Sequence, residues 1–153
     1  MKAVFPELIS LGCRLFLAWL FLYASYDKVW HPADFALSVG RYEVLPVVLV
    51  NAGSVLLAWL EFFVGLMLLL GLWTRVAALW SVGLLAMFTG LMIYAWAIGA
   101  GYDCGCFPGQ SDGHQAGLSA AARDVGFMLP ALWLLWRPGR WLAVSVADDH
   151  ERP

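Results

Sequence analysis

Two thiols lie one residue apart in Asp103-Cys104-Gly105-Cys106-Phe107, a stretch bracketed by Gly99, Gly101 and Gly109. Gly105 lets the backbone bend far enough for the sulfurs to approach. A disulfide there closes a very small ring, and closing so short a loop adds little stability. Departure from good disulfide geometry makes the bond easier to reduce, and strained, exposed disulfides are typically the labile or catalytic ones. Thiol–disulfide exchange is therefore the first chemistry these residues suggest. Two other readings stand beside it. Soft thiolates suit zinc or copper, with Asp103 or His114 as further ligands, but the spacing to His114 matches no standard zinc pattern, and no metal ligand is assigned. The third reading is an inert loop. Cys13 stands in an apolar stretch far from this pair and reads as a small apolar filler. His31 and His114 are of the residue type suited to carrying protons near neutral pH, although a lone loop histidine is more often simply solvated.

Charged residues inside apolar stretches are the second chemical signal. They are Arg14, Asp27 and Lys28, then Glu61, then Arg123 and Asp124. A charge at the centre of a bilayer costs about 2.5–3.5 kcal/mol on insertion scales, so such groups face a bundle interior and pair. Two layers are expected. Arg14 and Glu61 form a structural ion pair in one half of the membrane. Lys28, Arg123 and Asp124 lie in the other half, beneath the cysteine loop. A cation there favours thiolate over thiol, so Lys28 and Arg123 join Cys104 and Cys106 as candidate catalytic residues. Asp124 carries protons or orients Arg123.

The scaffold that must position these groups is apolar. Of 153 residues, 62% are hydrophobic and 13% charged, against about 25% charged in an ordinary soluble domain; the mean hydropathy is +0.76. A soluble fold of this size still exposes much of its area, so lipid is the solvent for most of the chain. With a formal net charge of −2 and no basic patch, nucleic acid is not an expected partner. Four stretches, approximately 8–30, 46–73, 75–100 and 118–136, reach the roughly 20 residues needed to cross a bilayer core. Leu8–Trp30 is too long for a signal-peptide core of about 7–15 residues and reads as a retained helix. Residues 31–45 read as a mixed loop, and 137–153 as a short cytoplasmic tail on a single domain.

Lys2, Arg75, Arg137, Arg140 and Arg152 fall on one side of these crossings, and Lys28 and Arg41 on the other. By the excess of Lys and Arg in cytoplasmic loops, the expected fold is an all-α integral membrane four-helix bundle, N-in and C-in. Its cysteine loop, between the third and fourth crossings, faces outward, into the disulfide-permissive periplasm of a bacterial inner membrane. Trp30, Trp73, Trp96, Trp136 and Trp141 fall near the expected interfaces. Gly83, Ala86, Gly90 and Ala97 form a small-residue stripe of the kind that lets helix backbones approach.

These patterns resemble a known family. Arg14-Leu15-Phe16-Leu17-Ala18 followed by Lys28, and Glu61-Phe62-Phe63-Val64-Gly65 followed by Leu70-Gly71-Leu72 and Arg75, resemble the first two helices of the DoxX superfamily. Cys104-Gly105-Cys106-Phe107 ahead of Arg123-Asp124 resembles its MauE branch, named for methylamine utilisation. Pro108 stands where the family pattern leads one to expect Gly, and Gly109 follows it. The resemblance implies a four-helix membrane protein tied to periplasmic thiol chemistry, with a redox-active Cys104–Cys106 disulfide. It also implies a thioredoxin-like or disulfide-rich periplasmic partner, and the wider superfamily suggests a quinone as electron acceptor. Two functions from different classes follow: a membrane thiol–disulfide oxidoreductase that matures an outside protein, or a non-catalytic membrane subunit that docks a redox partner or assembles a larger complex.

Overall fold

The computed structural model describes residues 4–40, 46–97 and 118–138. Among these it has five helices: α1 Val4–Trp30, α2 Pro32–Gly40, α3 Val47–Leu70, α4 Thr74–Ala97 and α5 Leu118–Trp136. Three segments, Phe5–Trp30, Val48–Leu70 and Thr74–Tyr94, are long and apolar enough to cross a bilayer. Helices are the natural choice in hydrocarbon because they satisfy their own backbone groups. The side-chain hydroxyls follow the same rule. Ser54, Ser81 and Thr89 donate to the carbonyls of Val50, Ala77 and Leu85 at 2.7–2.8 Å, so no buried O–H among them needs water.

Chain breaks follow local chemistry. Pro32 lacks an N–H and disfavours helical backbone at His31, which ends α1 at Trp30. Pro32 then serves as the first residue of α2, where a missing N–H costs nothing. Helical turns nevertheless carry across the break, with His31 N–H donating to the Asp27 carbonyl at 2.8 Å and Phe35 N–H to the His31 carbonyl at 3.3 Å. Residues 32–40 were expected as loop; they form a nine-residue helix instead. At the end of α3, Gly71 adopts φ 70°. Leu72 N–H then reaches back to the Met67 carbonyl and Gly71 N–H to that of Leu68, a Schellman closure that needs the left-handed conformation.

α1 packs against α3 and α5, and α4 packs against α5 and α3. Leu17, Leu20 and Phe21 of α1 meet Val64 and Leu68 of α3, Leu84 and Leu85 of α4, and Leu134 of α5 in one buried cluster. Gly65 marks the closest approach: a Cβ there would lie 3.0 Å from Leu22 Cγ and 3.1 Å from the Leu22 backbone nitrogen. Leu22 thus faces Gly65, Lys28 faces Glu61, and Gly40 faces Val50. α3 therefore runs antiparallel to α1 and α2 taken as one broken rod. Ser10 of α1 donates to the Arg137 carbonyl and accepts from Trp133 Nε1, so α5 also runs antiparallel to α1. The outer surface is apolar, with Val48, Leu56, Leu79 and Leu129 strongly exposed. Trp30, Trp73, Trp96 and Trp136 are exposed near helix ends, the places where amphipathic rings prefer the interface.

The small-residue stripe on α4 does not serve as expected. Gly83, Ala86, Gly90 and Ala97 are exposed, and a Cβ on Gly83 or Gly90 would meet nothing within 4 Å. The close helix contact is made by Gly65 of α3 instead, where Leu22 already fills the space a methyl would need.

Candidate functional site

The site is built around an ammonium with nowhere else to go. Lys28 is the last basic residue of α1 and is 2% exposed, while Glu61 in the middle of α3 is 1% exposed. Nζ of Lys28 donates to both carboxylate oxygens of Glu61, at 2.8 and 2.7 Å. Charged hydrogen bonds of this length are among the stronger ones proteins make. Two rings close the remaining sides of the ammonium. Phe88 of α4 lies 4.6 Å from it, centroid to nitrogen, and Phe35 of α2 lies 4.9 Å away. Both are within the range at which a ring face attracts a cation. One ion pair thus joins four of the five helices.

Asp124, early in α5, is the second buried carboxylate at 3% exposure. Arg123 Nε lies 3.5 Å from its Oδ1, and the Arg123 guanidinium also sits over the Phe127 ring. At that distance Arg123 and Asp124 form an ion pair looser than a good N–H···O hydrogen bond. Lys28, Glu61 and Asp124 line one cavity, about 30 Å³ in volume, whose remaining walls include Ala24, Leu85 and Phe88. The cluster carries two formal positive and two formal negative charges. Ala97 and Leu118, the last and first described residues on either side of the stretch that holds the thiols, both lie toward this end of the molecule. α4 continues nine residues, about 14 Å, beyond Phe88, and Asp124 is six residues into α5.

The family described as "Methylamine utilisation protein MauE" matches residues 6–137. The chain belongs to the MauE family. With three helices of membrane length among the described residues it is a membrane protein, of a family involved in methylamine utilisation. No curated protein matches it, and no solved structure does.

Set against this MauE-family site, the expected residues divide. Lys28 and Asp124 share the cavity, and Arg123 adjoins Asp124. Glu61 was expected to pair with Arg14, and this is corrected: both of its oxygens are on Lys28. The register explains why. Stepping eight residues back from Leu22 to Arg14 is matched by eight residues forward from Gly65, which reaches Trp73 in the α3–α4 turn. Along the helix axis Arg14 and Glu61 are therefore about 18 Å apart. The expected two layers become one layer holding Lys28, Glu61, Arg123 and Asp124, with Arg14 buried elsewhere. Cys104, Cys106, Asp103 and His114 lie outside the described residues. His31 is exposed and adjoins Asp27 at 3.3 Å. Cys13 is a free, half-buried thiol beside the hydrophobic core, as expected of a filler. No group of three or more potential metal ligands occurs among the described residues.

Phe35 and Phe88 are the site residues that sequence reasoning missed. Phe35 had a readable signal: it stands seven residues after Lys28, on the same face if the helix carries on. Phe88 had none, because an aromatic in an apolar helix is ordinarily read as packing.

Proposed function

We propose that this MauE-family chain is an integral inner-membrane thiol–disulfide oxidoreductase that exchanges disulfides with a periplasmic partner, itself thioredoxin-like or disulfide-rich, during maturation of an outside protein. In this reading the four long helices form one transmembrane bundle, N-in and C-in, and kinship extends to the DoxX superfamily. The Lys and Arg distribution supports the orientation. The observation that carries the reading is the buried group of Lys28, Glu61 and Asp124, with partly exposed Arg123 beside it, at the end where α4 leaves toward, and α5 returns from, the Cys104-Gly105-Cys106 stretch.

A partner thiolate attacks one sulfur of the Cys104–Cys106 disulfide. A mixed disulfide forms and the other sulfur leaves as thiolate. A second partner thiolate displaces the first cysteine, so the partner gains the disulfide and the Cys pair gains both electrons. The protons of the two partner thiols end on Cys104 and Cys106, and the exchange is balanced without a further acceptor. Arg123, one-third exposed, is the better placed cation to favour thiolate, because the charge of Lys28 is already matched by Glu61. A quinone as electron acceptor stays part of the proposal on the family resemblance alone; among the described residues the cavity at this cluster is about 30 Å³, and no quinone-binding residue is assigned. No step of the exchange runs through one.

The closely locked Lys28–Glu61 pair also favours a second reading, a non-catalytic subunit whose charges fix the helices while the cysteine stretch touches a redox partner. One experiment separates the two. The thiols are trapped with a maleimide probe before and after adding a reduced dithiol protein, in the wild type and in Cys104→Ser with Cys106→Ser. Labelling that rises on reduction, with the double variant inert but still able to bind partner, supports exchange. Thiols that never change state sink it and leave the docking subunit.

A further inference from the structure

We propose that the groove along the Arg137 end of α5 binds one anionic phospholipid, with the phosphate on the Arg137 guanidinium and an acyl chain against Leu129 and Leu132. The site rests on the reading of α5 as a membrane crossing, and stands whether or not Cys104 and Cys106 exchange disulfides.

Shape is the first argument. Leu129, Leu132, Trp133, Trp136 and Arg137 line a groove of about 370 Å³, within the roughly 300–1,000 Å³ of small-molecule sites. Their spacing, i, i+3, i+4, i+7 and i+8, puts them on one helix face. The chemistry is graded along that face. Two leucines come first, then two indoles, and the guanidinium lies last, about 12 Å along the axis from Leu129. A phospholipid has the same order of chain, interface and charge. Indoles prefer the interfacial level, and a chain lying on leucines has no hydrogen bond to satisfy.

The second argument is that the polar end is built and left open. Ser10 of α1, 2% exposed, accepts from Trp133 Nε1 at 3.2 Å and donates to the Arg137 carbonyl at 2.9 Å. Arg137 N–H donates to the Trp133 carbonyl at 2.8 Å. The Trp133 indole and the Arg137 backbone are thus held before a ligand arrives, which lowers the ordering cost of binding. The Arg137 side chain is exposed, and among the described residues it has no ion pair. No carboxylate lines the groove. A guanidinium carries five N–H donors in a fork that matches phosphate. An uncompensated cation at the rim favours a headgroup of net negative charge over a zwitterionic one.

The test is native mass spectrometry of the full chain from micelles holding equal amounts of phosphatidylglycerol and phosphatidylcholine. The wild type should retain one phosphatidylglycerol in preference to phosphatidylcholine. Arg137→Gln should cut that preference about tenfold, as the loss of one charged hydrogen-bonding group does. Arg75→Gln, at a second exposed arginine of the same end, should leave it within about twofold. Leu132→Trp fills the groove from its own wall and should release the lipid with Arg137 still present. No preference in the wild type overturns the site. So does an equal loss in Arg75→Gln, the mark of a diffuse surface charge, or a Leu132→Trp chain that keeps its lipid. A preference that emerges only when Asp148, Asp149 and Glu151 are neutralised names the chain's own acidic segment as occupant, and a lipid-free dimer names a second copy; either overturns the lipid. Leu129→Cys in liposomes keeps the two readings apart. Labelling mapped to that position with a water-soluble maleimide removes the α5 crossing itself, whereas protection without lipid preference removes the lipid site alone.

Discussion

Glu61→Gln is the perturbation that tests the site most directly. It removes the negative charge opposite Lys28 while keeping the shape of the side chain. Lys28 Nζ now has two oxygens at 2.7 and 2.8 Å, and neither partner is more than 2% exposed. Water cannot replace the lost charge without opening the helix packing. Removing one member of such a pair costs about 3–5 kcal/mol, because the other charge is left buried without compensation. That is a large fraction of the roughly 5–15 kcal/mol that holds a domain folded. Adding Lys28→Met should recover at least about 1 kcal/mol, since two uncharged side chains leave nothing stranded. Arg14 supplies the control: with Arg14→Gln and Glu61→Gln about 18 Å apart along the axis, their effects should add within about 0.5 kcal/mol. Reversible unfolding in mixed micelles reads these variants together with Lys28→Met alone, five in all, which closes both cycles. The reasoning fails if Glu61→Gln costs less than about 1 kcal/mol, or if Glu61 couples more strongly to Arg14 than to Lys28.

Gly65→Ala should destabilise the chain by about 1–3 kcal/mol, because the new methyl would sit 3.1 Å from the Leu22 backbone nitrogen, which cannot rotate away; the same unfolding assay checks it, and an unchanged stability would contradict the α1–α3 register. Gly83→Ala and Gly90→Ala meet nothing within 4 Å and should be neutral, or stabilising by up to about 1 kcal/mol through helix propensity. A loss in either would show that α4 is covered by a partner in the folded protein.

Much of the architecture is legible in the sequence because bilayer thickness fixes helix length. Among the described residues, three of the four stretches expected to cross, 8–30, 46–73 and 75–100, hold the membrane-length helices α1, α3 and α4, with the end of α3 drawn in to Leu70 by the left-handed Gly71; the fourth, 118–136, is helical as α5. Arg14, Lys28, Glu61 and Asp124 are buried, legibly so because an apolar segment tolerates a charge only when it faces inward; Asp27 and Arg123 are only partly buried. What the sequence does not encode locally is contact between helices. The stripe at Gly83, Ala86, Gly90 and Ala97 has the spacing of a packing face, yet spacing defines a face without saying what lies opposite.

The Arg14–Glu61 pairing failed for a reason that can be worked out in ångströms. If residues 31–45 were a simple return loop, Pro46 would stand level with Trp30. Counting fifteen residues down α3 and up α1 would then bring Glu61 level with Leu15, next to Arg14. In the fold, Gly65 is level with Leu22, which puts Glu61 level with Tyr26, eleven residues or about 16 Å away. α2 supplies nearly that displacement, since its nine residues carry the chain about 14 Å past Trp30 before α3 turns back. The same nine residues bring Phe35 over the Lys28 ammonium. A short helix that looked like a connection therefore does two things: it slides α3 until Glu61 meets Lys28, and it covers the pair that results. Shortening α2 by whole turns should thus slide Glu61 out of reach of Lys28, leaving two buried charges unmatched.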